Sequence, residues 1–213
     1  MPLPAEGSGL FVRFTALLCL ICASGAVAQQ PGPVRSLLEI RRANVIVQQW
    51  DISCGAAALA TVLTYQHGDR VTEKAVAEGM LRRTDPLRVR VRGGFSLLDL
   101  KRYVETRGYT GIGYSTLTID DLEEFGPTLV PLNLKGYSHF VVFKGVLDGR
   151  VLVADPAFGN RALSLDRFDD AWVEKIGFVV RRKDGTVPQR NMLVPKRNEA
   201  AGPPDIVVRS AVR

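Results

Sequence analysis

One cysteine, one of two histidines and one aspartate stand where they could cooperate in chemistry. Cys54 opens "CGAAALATVLTYQ", an Ala- and Leu-rich run that reads as a helix over 54–66, stopped at His67-Gly68. Ser53 or Asp51 is the expected cap. Backbone N–H groups at a helix start favour an anion, so a thiolate there is expected to have a depressed pKa. The small residues that follow leave room beside the sulfur. The competing reading of Cys54 is a small buried core residue.

A thiolate nucleophile needs a base, and the chain has two histidines. His67 ends the helix that Cys54 begins, about 20 Å away at 1.5 Å per residue. It is therefore read as a residue at the helix C-terminus. His139 opens the apolar strand "HFVVFKGVL", whose mouth can face a cleft. Alone it would read as a structural histidine; beside a helix-start cysteine it reads as a general base. The base wants an orienter, and "RVLVADP" ends a strand at Asp155. The simpler reading of Asp155-Pro156 is turn initiation. A strict two-residue turn at Asp148-Gly149 pairs Asp155 with Val142 and puts 139 and 155 on opposite faces. A shared face requires a bulge or an odd-length loop, such as a three-residue loop bulged at Gly149. A preplaced N–H donor for the oxyanion completes the set. Gln48 and Gln49 both precede Cys54 at suitable distance, and spacing does not choose between them.

These residues need elements to hold them. A second helix fits Thr72–Leu81 with Thr72 as cap, and Ser96–Arg107 places Leu97, Leu100, Tyr103 and Val104 on one face before Gly108. "GYTGIGY" reads as a short strand, and "TIDDLEEFG" as one or two helical turns. Strands follow at Thr128–Leu134, His139–Leu147, Arg150–Asp155, Arg161–Leu165 and Ile176–Arg182, with a crossing helix over Asp166–Val173. Helices first and an antiparallel sheet second is an α+β pattern. No phosphate-binding loop is present: Gly93-Gly94 and Gly111-x-Gly113 are turn signals.

The N-terminus carries an apolar core after Arg13 and ends in Ala26-Val27-Ala28, a secretory cleavage pattern. Residues 1–28 are expected to be a signal peptide cut after Ala28, with export to the periplasm. The apolar run falls short of the roughly 20 residues of a membrane span. Cys19 and Cys22 lie inside that core and receive no metal or redox role. About 185 residues remain, enough for one domain with a core. The net charge stays at +6, because Glu6 and Arg13 leave together. Cys54 is then the lone thiol, which cannot form an internal disulfide. The expected organisation is an N-terminal segment over 29–43, a domain over 44–182, and a basic, mostly irregular tail over 183–213. That tail is the segment that would meet an acidic partner, membrane headgroups or secretion machinery; a solvated tail is the simpler reading. No aromatic residues interleave its charges, which argues against nucleic-acid binding.

At these residues the chain resembles the bacteriocin-processing, double-glycine-leader cysteine endopeptidases (cysteine peptidase family 39), a papain-like group. The matching motifs are Gln48, Cys54-Gly55-Ala56-Ala57, His139-Phe140-Val141-Val142 and Asp155-Pro156, within residues 44–182. The resemblance implies a papain-like fold with the cysteine helix packed on the sheet. It implies Cys54 as nucleophile, His139 as base, Asp155 as orienter and Gln48, over Gln49, as oxyanion donor. It implies a polypeptide substrate and no metal, nucleotide or other cofactor. The residue before the cysteine departs from the family's common Asp and is Ser53. Family members are commonly domains of exporters; this chain reads as a stand-alone, secreted relative. Its expected substrate is an exported polypeptide, including fibre or amyloid subunits. The rival readings are a catalytically silent peptide-binding module on the same fold and an amidase or acyltransferase acting on cell-wall peptides.

Overall fold

The computed structural model describes residues 36–134 and 136–197. The expected signal peptide, and the tail beyond 197, lie outside the described residues. Five helices come first: α1 (Leu37–Arg42), α2 (Cys54–Tyr65), α3 (Glu73–Leu81), α4 (Pro86–Arg92) and α5 (Leu97–Glu105). Then follow β1 (Tyr109–Tyr114), α6 (Ile119–Phe125), β2 (Thr128–Leu134), β3 (Tyr137–Leu147), β4 (Arg150–Asp155), β5 (Gly159–Ser164), α7 (Leu165–Ala171) and β6 (Gly177–Arg182). The six strands form one sheet in the order β1-β6-β2-β3-β4-β5, with antiparallel pairing throughout. The α+β architecture read from the sequence is the observed one.

Helix α2 is buried from Cys54 through Leu63. A helix apolar all round belongs inside a core. Its alanines let it lie close to β3. Thr61, its one buried hydroxyl, donates to Ala57 O (2.8 Å) and accepts from the Ile46 N–H (3.0 Å). That second bond runs the segment before Gln48 along the helix. Leu129, Val142, Ala154 and Phe178 meet α2, α3 and α5 in one core. Val130, Val141, Phe143 and Val153 point the other way, into a second core with Phe168 and Trp172.

Several expectations need correction. Strand β3 begins at Tyr137 instead of His139, and β5 spans Gly159–Ser164 instead of 161–165. Helices α1 and α4 were not anticipated. Each is six or seven residues long and is held by its caps: a Ser36–Glu39 capping box for α1, and Asp85 with Pro86 for α4. The described part of the expected tail, residues 183–197, forms no named helix or strand, and it is not solvated throughout. Leu193 is fully buried in the α2 core. Met192 donates its N–H to Tyr65 O (2.8 Å) and accepts from Asn44 Nδ2 (3.1 Å).

Candidate active site

The register of β3 against β4 decides whether His139 can meet Asp155. The turn is a strict two-residue one: Leu147 pairs with Arg150, and both Asp148 (φ 51°) and Gly149 (φ 69°) are left-handed. The loop is therefore not the odd-length one considered above, and Gly149 carries no bulge. The extra residue is Lys144, inserted where the pairing steps from Gly145↔Leu152 to Phe143↔Val153. Beyond it Val142 faces Ala154, so Asp155 shares a face with Val141 and with His139. The expected bulge exists, five residues upstream of Gly149. Lys144 is itself buried, with Nζ on Asn160 Oδ1 at 3.1 Å.

The result is a direct contact. His139 Nε2 lies 3.2 Å from Asp155 Oδ2, with both side chains fully buried. Asp155 Oδ1 accepts the N–H groups of Ala157 (2.9 Å) and Phe158 (3.3 Å), which fixes the carboxylate in the turn that Pro156 begins. Burial alone would raise the Asp155 pKa. The bonds and charges of His139 and Arg161 outweigh it and hold the carboxyl below its ordinary range. The other ring nitrogen, His139 Nδ1, is buried with no hydrogen-bond partner.

Cys54 meets β3 where the pairing of β3 with β4 has ended, beyond Val142–Ala154. Phe140 lies beyond the last β3–β4 pair, and its backbone N–H turns to the Cys54 sulfur. The N-terminus of α2 thus ends beside the strand position next to His139. Cys54 is 6% exposed. Burial pushes its thiol up, and the N–H groups of Phe140 and Gly55 offset only part of this. The expectation of a depressed thiol pKa is overturned in this state: desolvation outweighs the helix terminus.

Gln48 and Gln49 are told apart by position. Gln48 donates its backbone N–H to Pro156 O (2.8 Å), which places it beside Asp155. Its Nε2 donates to Trp50 O (2.9 Å), its Oε1 is buried and unpartnered, and its side chain also reaches the Tyr137 hydroxyl. Gln49 is exposed. Ser53 begins α2 without capping it. Its hydroxyl lies between Trp50 O (2.7 Å) and the Glu73 carboxylate. His67 proves structural: it is buried, Nε2 lies 3.1 Å from Val180 O on β6, and its ring tilts against Tyr109. Among the described residues no three His, Cys, Asp or Glu side chains gather to hold a metal.

Comparison with known proteins adds the lineage. The sequence profile of the peptidase C39 family matches residues 42–184. The chain belongs to the peptidase C39 family. Two curated relatives are named probable functional amyloid protease FapD. The Pseudomonas aeruginosa protein is 43% identical over 140 residues, 65% of this chain and 61% of its own length. The Pseudomonas fluorescens protein is 40% identical over 153 residues, 69% of this chain and 67% of its own length. The fold is similar to that of the peptidase domain of Streptococcus ComA, a bi-functional ABC transporter, at TM-score 0.54 and 19% identity. That match covers 65% of this chain and 97% of the domain. Family and fold place the chain among papain-like cysteine peptidases.

Three residues at this C39 site escaped the sequence reading. Tyr137 lies over the His139 ring (centroids 5.0 Å apart) and is near enough to Cys54 and Asp155 to be raised by their charges, after burial. Its signal was available, since residues two apart in a strand share a face. Arg161 donates Nη1 to Asp155 Oδ2 at 2.8 Å from β5. Glu73 accepts from the Gln49 N–H and the Ser53 hydroxyl from the start of α3. Both reach the site across the chain, and neither has a local sequence signature.

Proposed function

We propose that this protein is a cysteine endopeptidase in which Cys54 is the nucleophile, His139 the general base, Asp155 the orienter and Gln48 the oxyanion donor. The observation that carries this reading is the position of His139, on Asp155 and next to the strand residue that meets Cys54. Asp155 takes Nε2, which leaves Nδ1 buried and unpartnered one residue from the peptide N–H on the Cys54 sulfur. His67 Nδ1 is buried and unpartnered as well, so what supports His139 as the base is its place, one residue from the Phe140 N–H that meets Cys54 and in contact with Asp155.

The chemistry follows from these positions. The resting thiol is protonated, because burial pushes it up. His139 Nδ1 must therefore take the S–H proton as the sulfur attacks the scissile carbonyl carbon. The carbonyl π electrons move to oxygen, and the Gln48 amide donates to that oxyanion. Asp155 stabilises the imidazolium. The imidazolium then protonates the leaving amine, the C–N bond breaks, and a thioester remains on Cys54. Water, deprotonated by His139, releases the acyl product.

The substrate class proposed is an exported polypeptide, with secretion to the periplasm through residues 1–28. The naming of two relatives at 40–43% identity as probable functional amyloid proteases supports a fibre-forming substrate. No helix among the described residues is long and apolar enough to cross a membrane.

The test uses peptides from a periplasmic extract incubated with wild type, Cys54→Ala and His139→Ala. New N-termini are read by mass spectrometry. Cleavage by wild type alone is the expected result. Absence of new termini, with equal retention of peptides by wild type and Cys54→Ala, would replace this reading with a silent binding module.

A further inference from the structure

The loop between Gln48 and Cys54 is held by a carboxylate that the peptidase reading does not use. Glu73, the first residue of α3, is 4% exposed. Gln49 donates its backbone N–H to both Glu73 oxygens at 3.0 Å. The Ser53 hydroxyl reaches Glu73 Oε1 from the far end of the same loop. One carboxylate thus ties together the residue after the oxyanion donor and the residue before the nucleophile.

Gln48 itself is caught between two anchors. Successive N–H groups of an extended chain point in opposite directions. The Gln48 N–H points to Pro156 O, next to Asp155, and the Gln49 N–H points to Glu73. Rotation of the backbone about Gln48 is blocked from both sides. That fixes where its side chain leaves the loop.

Ser53 fits the same scheme. An Asp at 53 would set two carboxylates against each other at this contact, whereas Ser53 gives a neutral donor to a charge supplied from α3. Taking a carboxylate out of water is costly, and here it is met by neutral donors. A site that only needed filling could take an apolar residue.

We infer that Glu73 is a positioning residue, which holds the Gln48 amide at the oxyanion through the Gln49 N–H and the Ser53 hydroxyl. This rests on the assignment of Gln48 as oxyanion donor. Oxyanion donors act over a narrow distance range, so a small loop displacement removes much of their effect. Glu73 should therefore matter for steps that form an oxyanion and not for steps that only need the sulfur.

Two probes separate those steps on the full chain. Acylation of Cys54 by 4-nitrophenyl acetate passes through a tetrahedral oxyanion; alkylation by iodoacetamide at pH 10 does not. Gln48→Ala is expected to slow acylation about 10²–10³-fold. Glu73→Ala should slow it at least about tenfold, within that ceiling. The Gln48→Ala/Glu73→Ala double variant should match Gln48→Ala alone to within about twofold. Glu73→Gln, which keeps one acceptor and the shape, should show a smaller loss of the same kind, and it decides the matter if Glu73→Ala does not fold. Alkylation should stay within about twofold throughout.

Multiplying losses in the double variant, unchanged acylation in both Glu73 variants, or a parallel fall in alkylation would overturn the proposal for Glu73. The Gln48 assignment would survive any of these. If Gln48→Ala alone left acylation unchanged, Gln48 would not be the donor, and both readings would fall.

Discussion

Asp155 Oδ2 receives His139 at 3.2 Å and Arg161 at 2.8 Å, a buried contact in which one oxygen holds the proposed base and opposes a cation. The thiol has no such help, and its burial decides how it is activated. Because the Cys54 pKa is raised, little thiolate exists at neutral pH in the free protein, and alkylation should climb only as pH passes the ordinary thiol range near about 8.5. His139→Ala should slow ester acylation at pH 7 by about 10²–10⁴-fold. At pH 10, where hydroxide can take the thiol proton in place of the imidazole, alkylation should barely change. Comparable losses at both values would mean that His139 only supports the fold. Asp155→Asn should cost up to about 10⁴-fold in acylation, because the imidazole loses the partner that sets its tautomer. The Asp155 pKa is depressed, so its stabilising contribution is complete above about pH 3.9 and is lost as pH falls below that through the folded value. Acid unfolding of Asp155→Asn should lack this component, measured by circular dichroism against pH.

At the scale of elements, the site depends on one inserted residue. If Lys144 paired within the β3–β4 ladder instead of bulging out of it, Val142 would face Asp155, and His139 and Asp155 would point to opposite faces. The need for an irregularity could be read by counting residues between the motifs and the turn. Its place could not, because a buried lysine in an apolar run carries no bulge signature. The edge of the same sheet is set by a close approach. Gly159 has φ +82°, and a Cβ there would lie 2.5 Å from Arg41 O at the end of α1. Asn160 Nδ2 meanwhile donates to Ala43 O (2.8 Å). Gly159→Ala should cost about 1–3 kcal/mol from overpacking, with left-handed strain in addition. A thermal midpoint equal to wild type would show that α1 does not hold β5 as described.

At the scale of the whole molecule, chain on both sides of the motif-bearing region closes the core. Leu193 lies fully buried among α2 residues, and Pro195 stands 2.8 Å from where a Cβ on Gly145 would be. Leu193→Ala should destabilise by about 2–5 kcal/mol, read from denaturant unfolding. A cost under about 0.5 kcal/mol would return this segment to the solvated tail expected from its charge. The expectation failed because basic, proline-containing composition reports average solvation. One leucine and two hydrogen bonds on the Met192 backbone, to Tyr65 O and from Asn44 Nδ2, are enough to dock a segment against that average.

Composition, period and order were sufficient for the α+β architecture, for helix α2 and the main strands, and for the nomination of Cys54, His139, Asp155 and the Gln48/Gln49 pair. Those features are local: a helix period, an alternating strand, a turn dipeptide, a nucleophile at a helix start. The tertiary structure decided what depends on distant residues meeting. It put the bulge at Lys144, separated Gln48 from the exposed Gln49, and brought Arg161 and Glu73 to the site from β5 and α3. It also reversed the sign of the Cys54 shift. A helix terminus is visible in a sequence, whereas desolvation is a property of everything packed around the sulfur.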